Sequence, residues 1–190
     1  MCRPWARPAA AAPDPRRRAL LGNAVRLGFV AACGLPAAAA AASALVVGEP
    51  APPLVLNTLD GRRIATQDLV GQVVIATFWA TWCEPCREEL PMFSDYARRH
   101  AQDGLQVLGF SLDGPEAIAK VKAVAATLSF PVGLLGSAYA GAYGRIWQIP
   151  VSFIIDRAGR LARNGWDVAP LPWTQELLQR IVGPLLPRGA

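Results

Sequence analysis

Histidine and cysteine are scarce in this chain of 190 residues, which contains one histidine and four cysteines. A structural zinc site needs four ligands, usually supplied as two pairs of Cys or His at similar spacing. Cys83 and Cys86 form one close pair, but Cys2, Cys33 and His100 do not form a second. The sequence therefore disfavours a zinc site. A Cu(I) site stays an alternative, because two thiolates can suffice for that ion.

An excess of positive charge is also lacking once the first 44 residues are set aside. Residues 1–44 carry six arginines and one acid, whereas the rest of the chain carries 13 basic and 13 acidic residues. The formal net charge of +5 and the pI of about 9.4 therefore belong to this leader. The remaining domain has no electrostatic basis for binding nucleic acid.

The leader has the layout of an export signal, with a basic region, an apolar stretch and small residues in that order. Arg16-Arg17-Arg18 precedes the apolar residues 19–35, and Ala42-Ser43-Ala44 matches an A-x-A cleavage site. Cleavage there would start the mature chain at Leu45. Arg17-Arg18 also resembles a twin-arginine signal, so the Sec and twin-arginine export routes both stay open.

Two other interpretations of the leader predict a membrane tether. Val30-Ala31-Ala32-Cys33 resembles a lipoprotein cleavage box, which would leave Cys33 lipidated. Alternatively, residues 27–47 give about 20 positions without a charge, near the length of a membrane span, although Gly28 and Pro36 make it a poor one. All three interpretations predict a periplasmic location for a single domain over residues 45–190.

Cys83 and Cys86 are the only cysteines left after cleavage, so the exported domain has no disulfide scaffold and the pair is predicted to react. The pair directly follows the apolar run Val73–Trp79, which predicts a strand that ends in a loop at the start of a helix. Free N–H groups and the macrodipole at a helix start favour a thiolate, the nucleophile of disulfide exchange. Cys83 is therefore the predicted attacking sulfur, and Cys86 the resolving one.

Strand-like and helix-like segments alternate through the domain, whose length suits one hydrophobic core. The predicted strands are 54–57, 73–78, 105–111, 151–155 and 161–165, and the predicted helices are 84–101, 115–127 and 174–182. A hairpin turn at 156–160 joins the last two strands. This order predicts an α/β fold, with a mixed central sheet covered by helices on both faces.

Six short motifs are spread over residues 48–184. They are Gly48-Glu49-Pro50-Ala51-Pro52, Leu69-Val70-Gly71, Phe78-Trp79-Ala80-Thr81-Trp82-Cys83-Glu84-Pro85-Cys86, Glu89-Leu90-Pro91, Ile149-Pro150 and Phe153-Ile154-Ile155-Asp156. Together they resemble the thioredoxin superfamily, specifically its exported thiol-disulfide oxidoreductase branch, the TlpA and ResA type. The resemblance implies a thioredoxin-like three-layer fold, with an extra helix and strand inserted between Ser111 and Pro150.

The resemblance also implies roles for residues around the cysteines. Glu89 matches the buried acid of this branch, which accepts or supplies a proton as the disulfide opens; plain thioredoxins carry an aspartate where this chain has Thr77. Pro150 matches the cis-proline opposite the cysteines, and Ile149 then offers backbone groups to an extended substrate. Trp79 and Trp82 are expected either to pack beside the cysteines and shield them or to belong to the core. The further predicted substrate-binding residues are Glu84 and Pro85.

The predicted activity is thiol-disulfide exchange by an enzyme without a metal or bound cofactor, whose redox group is the Cys83-Cys86 disulfide. The resemblance implies a reducing direction, protein substrates such as cytochrome c or cytochrome oxidase thiols, and a membrane thiol as electron donor. We expect a monomer. The alternatives are a Cu(I)-binding metallochaperone and a disulfide oxidase or isomerase; a peroxiredoxin is disfavoured because residues 77–83 lack its P-x-x-x-T-x-x-C setting.

Overall fold

The computed structural model describes residues 45–167 and 172–187. The leader lies outside these residues, so its cleavage, lipidation and membrane-anchor interpretations stay predictions, as does the division of the chain after residue 44. Within the two described ranges, no helix is both long enough and apolar enough to span a bilayer.

Of the seven strands in the described residues, five build a mixed central sheet. In chain order the strands are β1 (Val55–Asn57), β2 (Arg63–Ala65), β3 (Val73–Trp79), β4 (Leu105–Ser111), β5 (Val132–Leu134), β6 (Val151–Ile155) and β7 (Leu161–Arg163). The central sheet has the order β5-β4-β3-β6-β7, in which β3, β4 and β5 run parallel and β6 and β7 are antiparallel to their neighbours. β1 and β2 form a separate antiparallel pair. The predicted mixed sheet is confirmed.

Three α-helices accompany the sheet: α1 (Glu84–Arg99), α2 (Ile118–Ala125) and α3 (Gln175–Ile181). Each buries apolar side chains in one shared cluster with alternate residues of the central strands, for example Phe93 of α1, Val121 of α2 and Leu178 of α3. The opposite face is covered mainly by β1 and by a 3₁₀ turn at Gly141–Tyr143. The sheet is flanked by helices as predicted. The three α-helices pack into one hydrophobic cluster, whereas the second cluster, on the opposite face, contains a short 3₁₀ turn.

The helix ends differ from the predicted ones for local reasons. The helix predicted over 84–101 ends at Arg99, because His100 leaves the helical region (φ −110°, ψ 14°) and the turn at Gly104 needs a positive φ of 77°. The helix predicted over 115–127 begins as a 3₁₀ turn at Pro115–Ala117 and becomes α-helical only at Ile118. Thr174 caps α3 as predicted, accepting a hydrogen bond from the Leu177 N–H.

The order of β3 and α1 decides where the cysteines lie. Every residue of β3 is buried, so the strand runs through the centre of the domain. β3 and β4 are parallel, so both end at the same edge of the sheet, and α1 starts at Glu84, five positions beyond Trp79. The carboxyl edge of parallel strands is where open α/β sheets commonly place their binding sites.

Candidate active site

Cys83 and Cys86 form a disulfide at the start of α1. The sulfurs are 2.00 Å apart and the Cα atoms 5.3 Å apart. Cys83 is the N-cap residue, and its Sγ accepts a hydrogen bond from the Cys86 N–H at 3.3 Å. Cys83 is 6% exposed and Cys86 1% exposed. The predicted helix start is confirmed, and the more accessible sulfur belongs to the residue predicted to attack.

A buried carboxylate holds the loop that leads into Cys83. Both the N–H and the hydroxyl of Thr81 donate to the Asp113 carboxylate, at 2.8 and 2.6 Å, and the Ser111 hydroxyl donates to it at 2.7 Å. Asp113 follows β4 and is itself buried. Sequence reasoning missed this residue, although an acid directly after a buried strand at the sheet edge was the available signal.

Glu89 lies inside the domain, as the resemblance implied, and is 6% exposed. Its Oε1 accepts a hydrogen bond from the Trp173 N–H at 3.2 Å, while Oε2 has no partner among the described residues. Burial raises the pKa of the Glu89 carboxyl from 4.5 to about 7, and the hydrogen bond from Trp173 only partly opposes this. Glu89 can therefore gain or lose a proton near neutral pH.

A cavity of about 320 Å³ reaches the loop that carries the disulfide. Pro85, which separates Glu84 from Cys86, lies in its wall together with Glu89, Ile149 and Pro150. The Ile149-Pro150 peptide bond is cis, as the resemblance implied. Four of the predicted site residues thus come together around one opening, although they lie up to 65 positions apart in the chain.

Tryptophans form the apolar part of this surface. Trp147 is 71% exposed and stacks on Trp166, with ring centroids 5.6 Å apart and an angle of 14° between the ring planes. Both line the cavity, as does the buried Trp173. Exposed aromatic rings of this kind are typical of protein-binding surfaces. Sequence reasoning found no role for Trp147 and Trp166, because only the fold places them beside the cysteines.

Two predicted binding residues lie outside the cavity. Trp82 is 70% exposed and Glu84 is also exposed, and neither is among the residues that line the opening. Trp82 lies in the turn before the N-cap, where most of its ring is exposed, and its role beside the cysteines stays a prediction. Trp79 is fully buried.

Metal ligands are not gathered in the described residues. Neither of the two described ranges contains a group of three or more His, Cys, Asp or Glu side chains close enough to hold a metal ion. His100, the sole histidine, lies at the far end of α1, where its Nδ1 is 2.8 Å from an Asp103 carboxylate oxygen.

Residues 47–164 match the family model described as AhpC/TSA family. The chain belongs to the AhpC/TSA family of thioredoxin-like proteins. Thiol-disulfide oxidoreductase ResA of Bacillus anthracis is 32% identical over 119 residues, which cover 62% of this chain and 68% of that protein. Thioredoxin-like protein YneN of Bacillus subtilis is 36% identical over 115 residues, which cover 59% and 66% respectively.

Solved structures give the same result. A thiol:disulfide interchange protein of the thioredoxin family from Chlorobium tepidum is 28% identical with a TM-score of 0.60, over 72% of this chain and 95% of that one. StoA from Bacillus subtilis is 25% identical with a TM-score of 0.55, over 69% and 96% respectively. The family member described here is therefore an enzyme, a thiol-disulfide oxidoreductase of the ResA and DsbE type.

Proposed function

We propose that this oxidoreductase works as a reductase of protein disulfides in the periplasm. The observation that carries the direction is the charge around Cys83. The first turns of α1 hold two exposed acids, Glu84 and Glu88, and one exposed base, Arg87, besides the buried Glu89, which is only partly ionised near neutral pH. A strong oxidant needs a stabilised reduced form; the helix start favours the Cys83 thiolate, but the excess of acid over base around it opposes that stabilisation. The reduced Cys83-Cys86 pair should therefore give its two electrons readily to a substrate disulfide.

The first step joins enzyme and substrate. In the reduced enzyme, the Cys83 thiolate attacks one sulfur of the substrate disulfide and forms a mixed disulfide with it. The other substrate sulfur leaves as a thiolate and takes up a proton from solvent. The N–H groups at the start of α1 stabilise the attacking thiolate; the hydrogen bond from the Cys86 N–H to Cys83 Sγ in the disulfide form supports this step.

The second step releases the substrate. Cys86 gives its proton to the Glu89 carboxylate and attacks Cys83 Sγ, which closes the Cys83-Cys86 disulfide. The second substrate sulfur leaves as a thiolate and takes up this proton from Glu89, which returns to its carboxylate form. The substrate has then gained two electrons and two protons, and the enzyme has lost them. A carboxyl whose pKa lies near 7 is suited to this exchange, because it is available in both protonation states at neutral pH.

The substrates and the electron donor follow from the resemblance. We place cytochrome c or cytochrome oxidase cysteines among the substrates, kept reduced for haem or copper insertion, and a membrane thiol as the donor that reopens the enzyme disulfide. The enzyme would act as a monomer. A peptide with an oxidised Cys-x-x-Cys-His segment, the c-type haem attachment sequence, tests the substrate: its reduction should be faster than that of insulin, and equal rates would contradict this assignment.

Trapping of the mixed disulfide tests the reaction itself. Cys86→Ser should accumulate a covalent complex with a disulfide-containing peptide, since Cys83 can attack but nothing resolves the product. Cys83→Ser should form none and should lose insulin reduction. Mass spectrometry of the complex identifies the bonded cysteine. If Cys83→Ser kept reductase activity, the assignment of the nucleophile would be wrong.

A further inference from the structure

Among the described residues that line this cavity, Arg163 is the one basic residue. It ends β7, and its guanidinium carbon lies 4.6 Å from the centroid of the Trp173 ring. A guanidinium this close to an aromatic face is attracted by the ring electrons, which holds it against Trp173. The same Trp173 donates its backbone N–H to Glu89. A cation is thus held in place close to the reacting groups.

This guanidinium has no acceptor among the described residues. Its Nε is buried without a hydrogen-bond partner, and the described salt bridges, Arg62–Asp60, Arg98–Asp95 and His100–Asp103, do not involve it. Burial lowers the pKa of the Arg163 guanidinium, which shows that its charge is partly removed from water without compensation. An arginine in this condition gains most from an anionic, planar acceptor such as a carboxylate.

The cavity has the size and place for one substrate side chain. Its volume of about 320 Å³ lies at the lower end of ligand sites, which span about 300–1,000 Å³. Its wall includes Pro85, which lies between the two cysteines in the chain, and Pro150. Extended chain advances about 3.3 Å per residue, so a side chain one or two positions from a substrate cysteine bonded to Cys83 is a candidate occupant of this opening.

We infer that Arg163 binds an acidic side chain of the substrate protein, one or two residues from the cysteine that reacts with Cys83. The stacked rings of Trp147 and Trp166 cover the apolar part of that side chain, and the guanidinium takes its carboxylate. Glu89 lines the same cavity and stays largely protonated below about pH 7, so that it does not repel the incoming acid there. This inference rests on the proposed function and names the sequence preference of the same site.

Short synthetic peptides test the preference. Each peptide carries a single cysteine, is oxidised to its homodimeric disulfide, and has glutamate or glutamine next to the cysteine, on its N-terminal or its C-terminal side. Reduced wild-type enzyme is mixed with each peptide at pH 6.5, and tryptophan fluorescence follows the closing of the Cys83-Cys86 disulfide. On one side of the cysteine, the peptide concentration that gives half of the maximal rate should be about tenfold lower for the glutamate peptide than for the glutamine peptide.

Two variants locate the effect. Arg163→Gln should bring the ratio of the two half-saturation concentrations close to one. Arg157→Gln is the matched control, because Arg157 is exposed on the same hairpin and lies outside the cavity; it should keep the wild-type ratio. A wild-type ratio of one in both placements would overturn the inference, as would an unchanged ratio in Arg163→Gln. Equal reduction of all peptides leaves the reductase assignment intact, whereas reduction of none overturns that assignment and the inference together.

Discussion

Replacement of Glu89 by glutamine should change how the stability of the oxidised enzyme depends on pH. Glu89 is buried with one hydrogen bond, and burial raises the pKa of its carboxyl from 4.5 to about 7. Between these values the folded protein holds a proton that the unfolded chain releases. The stabilisation from this proton is fully present below pH 4.5 and is lost as the pH rises through about 7. Glutamine has a similar shape and does not ionise, so Glu89→Gln should lack this loss.

The expected magnitude follows from the two pKa values. With 1.36 kcal/mol for each pH unit, ionisation of Glu89 should lower the free energy of unfolding by about 2.5 kcal/mol between pH 5 and pH 8. This is a large part of the free energy of unfolding of an ordinary domain, which is roughly 5–15 kcal/mol. At pH 8 the variant should therefore be more stable than the wild type, although it loses a group used in the reaction.

Urea unfolding of the oxidised proteins at pH 5 and pH 8, followed by tryptophan fluorescence, measures this effect. The quantity of interest is the change in free energy of unfolding between the two pH values, compared between the wild type and Glu89→Gln. Other titrating groups affect both proteins alike and cancel. Glu88→Gln is the matched control, because Glu88 is the exposed neighbour of Glu89, and its pH dependence should stay close to the wild type. Parallel pH dependence in the wild type and Glu89→Gln would refute the reasoning.

Three further substitutions test how the site is supported. Asp113→Asn leaves one acceptor oxygen for the donors from Thr81 and Ser111, and should cost about 1–3 kcal/mol in urea unfolding and slow insulin reduction; an unchanged rate would contradict the anchoring role. Gly133→Ala places a Cβ 2.0 Å from the backbone oxygen of Asn57, so thermal unfolding should show a loss of about 1–3 kcal/mol, and equal stability would show that β1 can shift freely. Phe153→Ala removes the ring that packs edge-on against Phe78, Tyr143 and Trp166, and should lower the free energy of unfolding by about 3–5 kcal/mol. A loss below 1 kcal/mol would mean that these three rings move into the gap.

The parts of the site that could be predicted from the sequence are local in the chain. The buried strand before Cys83, the helix that begins after it and the cap at Thr174 are each set by neighbouring residues. The same holds for the pairing of β6 with β7, because a turn of a few residues joins them. For Glu89 and Pro150, the residues alone were insufficient, and the motifs shared with a family supplied their positions.

The remaining parts depend on contacts between residues far apart in the chain. Glu89 and Trp173 are 84 positions apart, and Thr81 and Asp113 are 32 apart. No local pattern reports that these residues meet. Arg163 was missed for the same reason, since an arginine at the end of a short strand usually lies on the surface.

The reduction potential of the Cys83-Cys86 couple tests the proposed reductase most directly. The oxidised protein is equilibrated with dithiothreitol or glutathione buffers of known potential, quenched with an alkylating reagent, and its free thiols are counted by mass. The charges around Cys83 do not stabilise a thiolate, so we expect a potential near or below that of thioredoxin, about −270 mV. A potential near that of the strong oxidant DsbA, about −120 mV, would contradict the reducing role and would identify the protein as an oxidase.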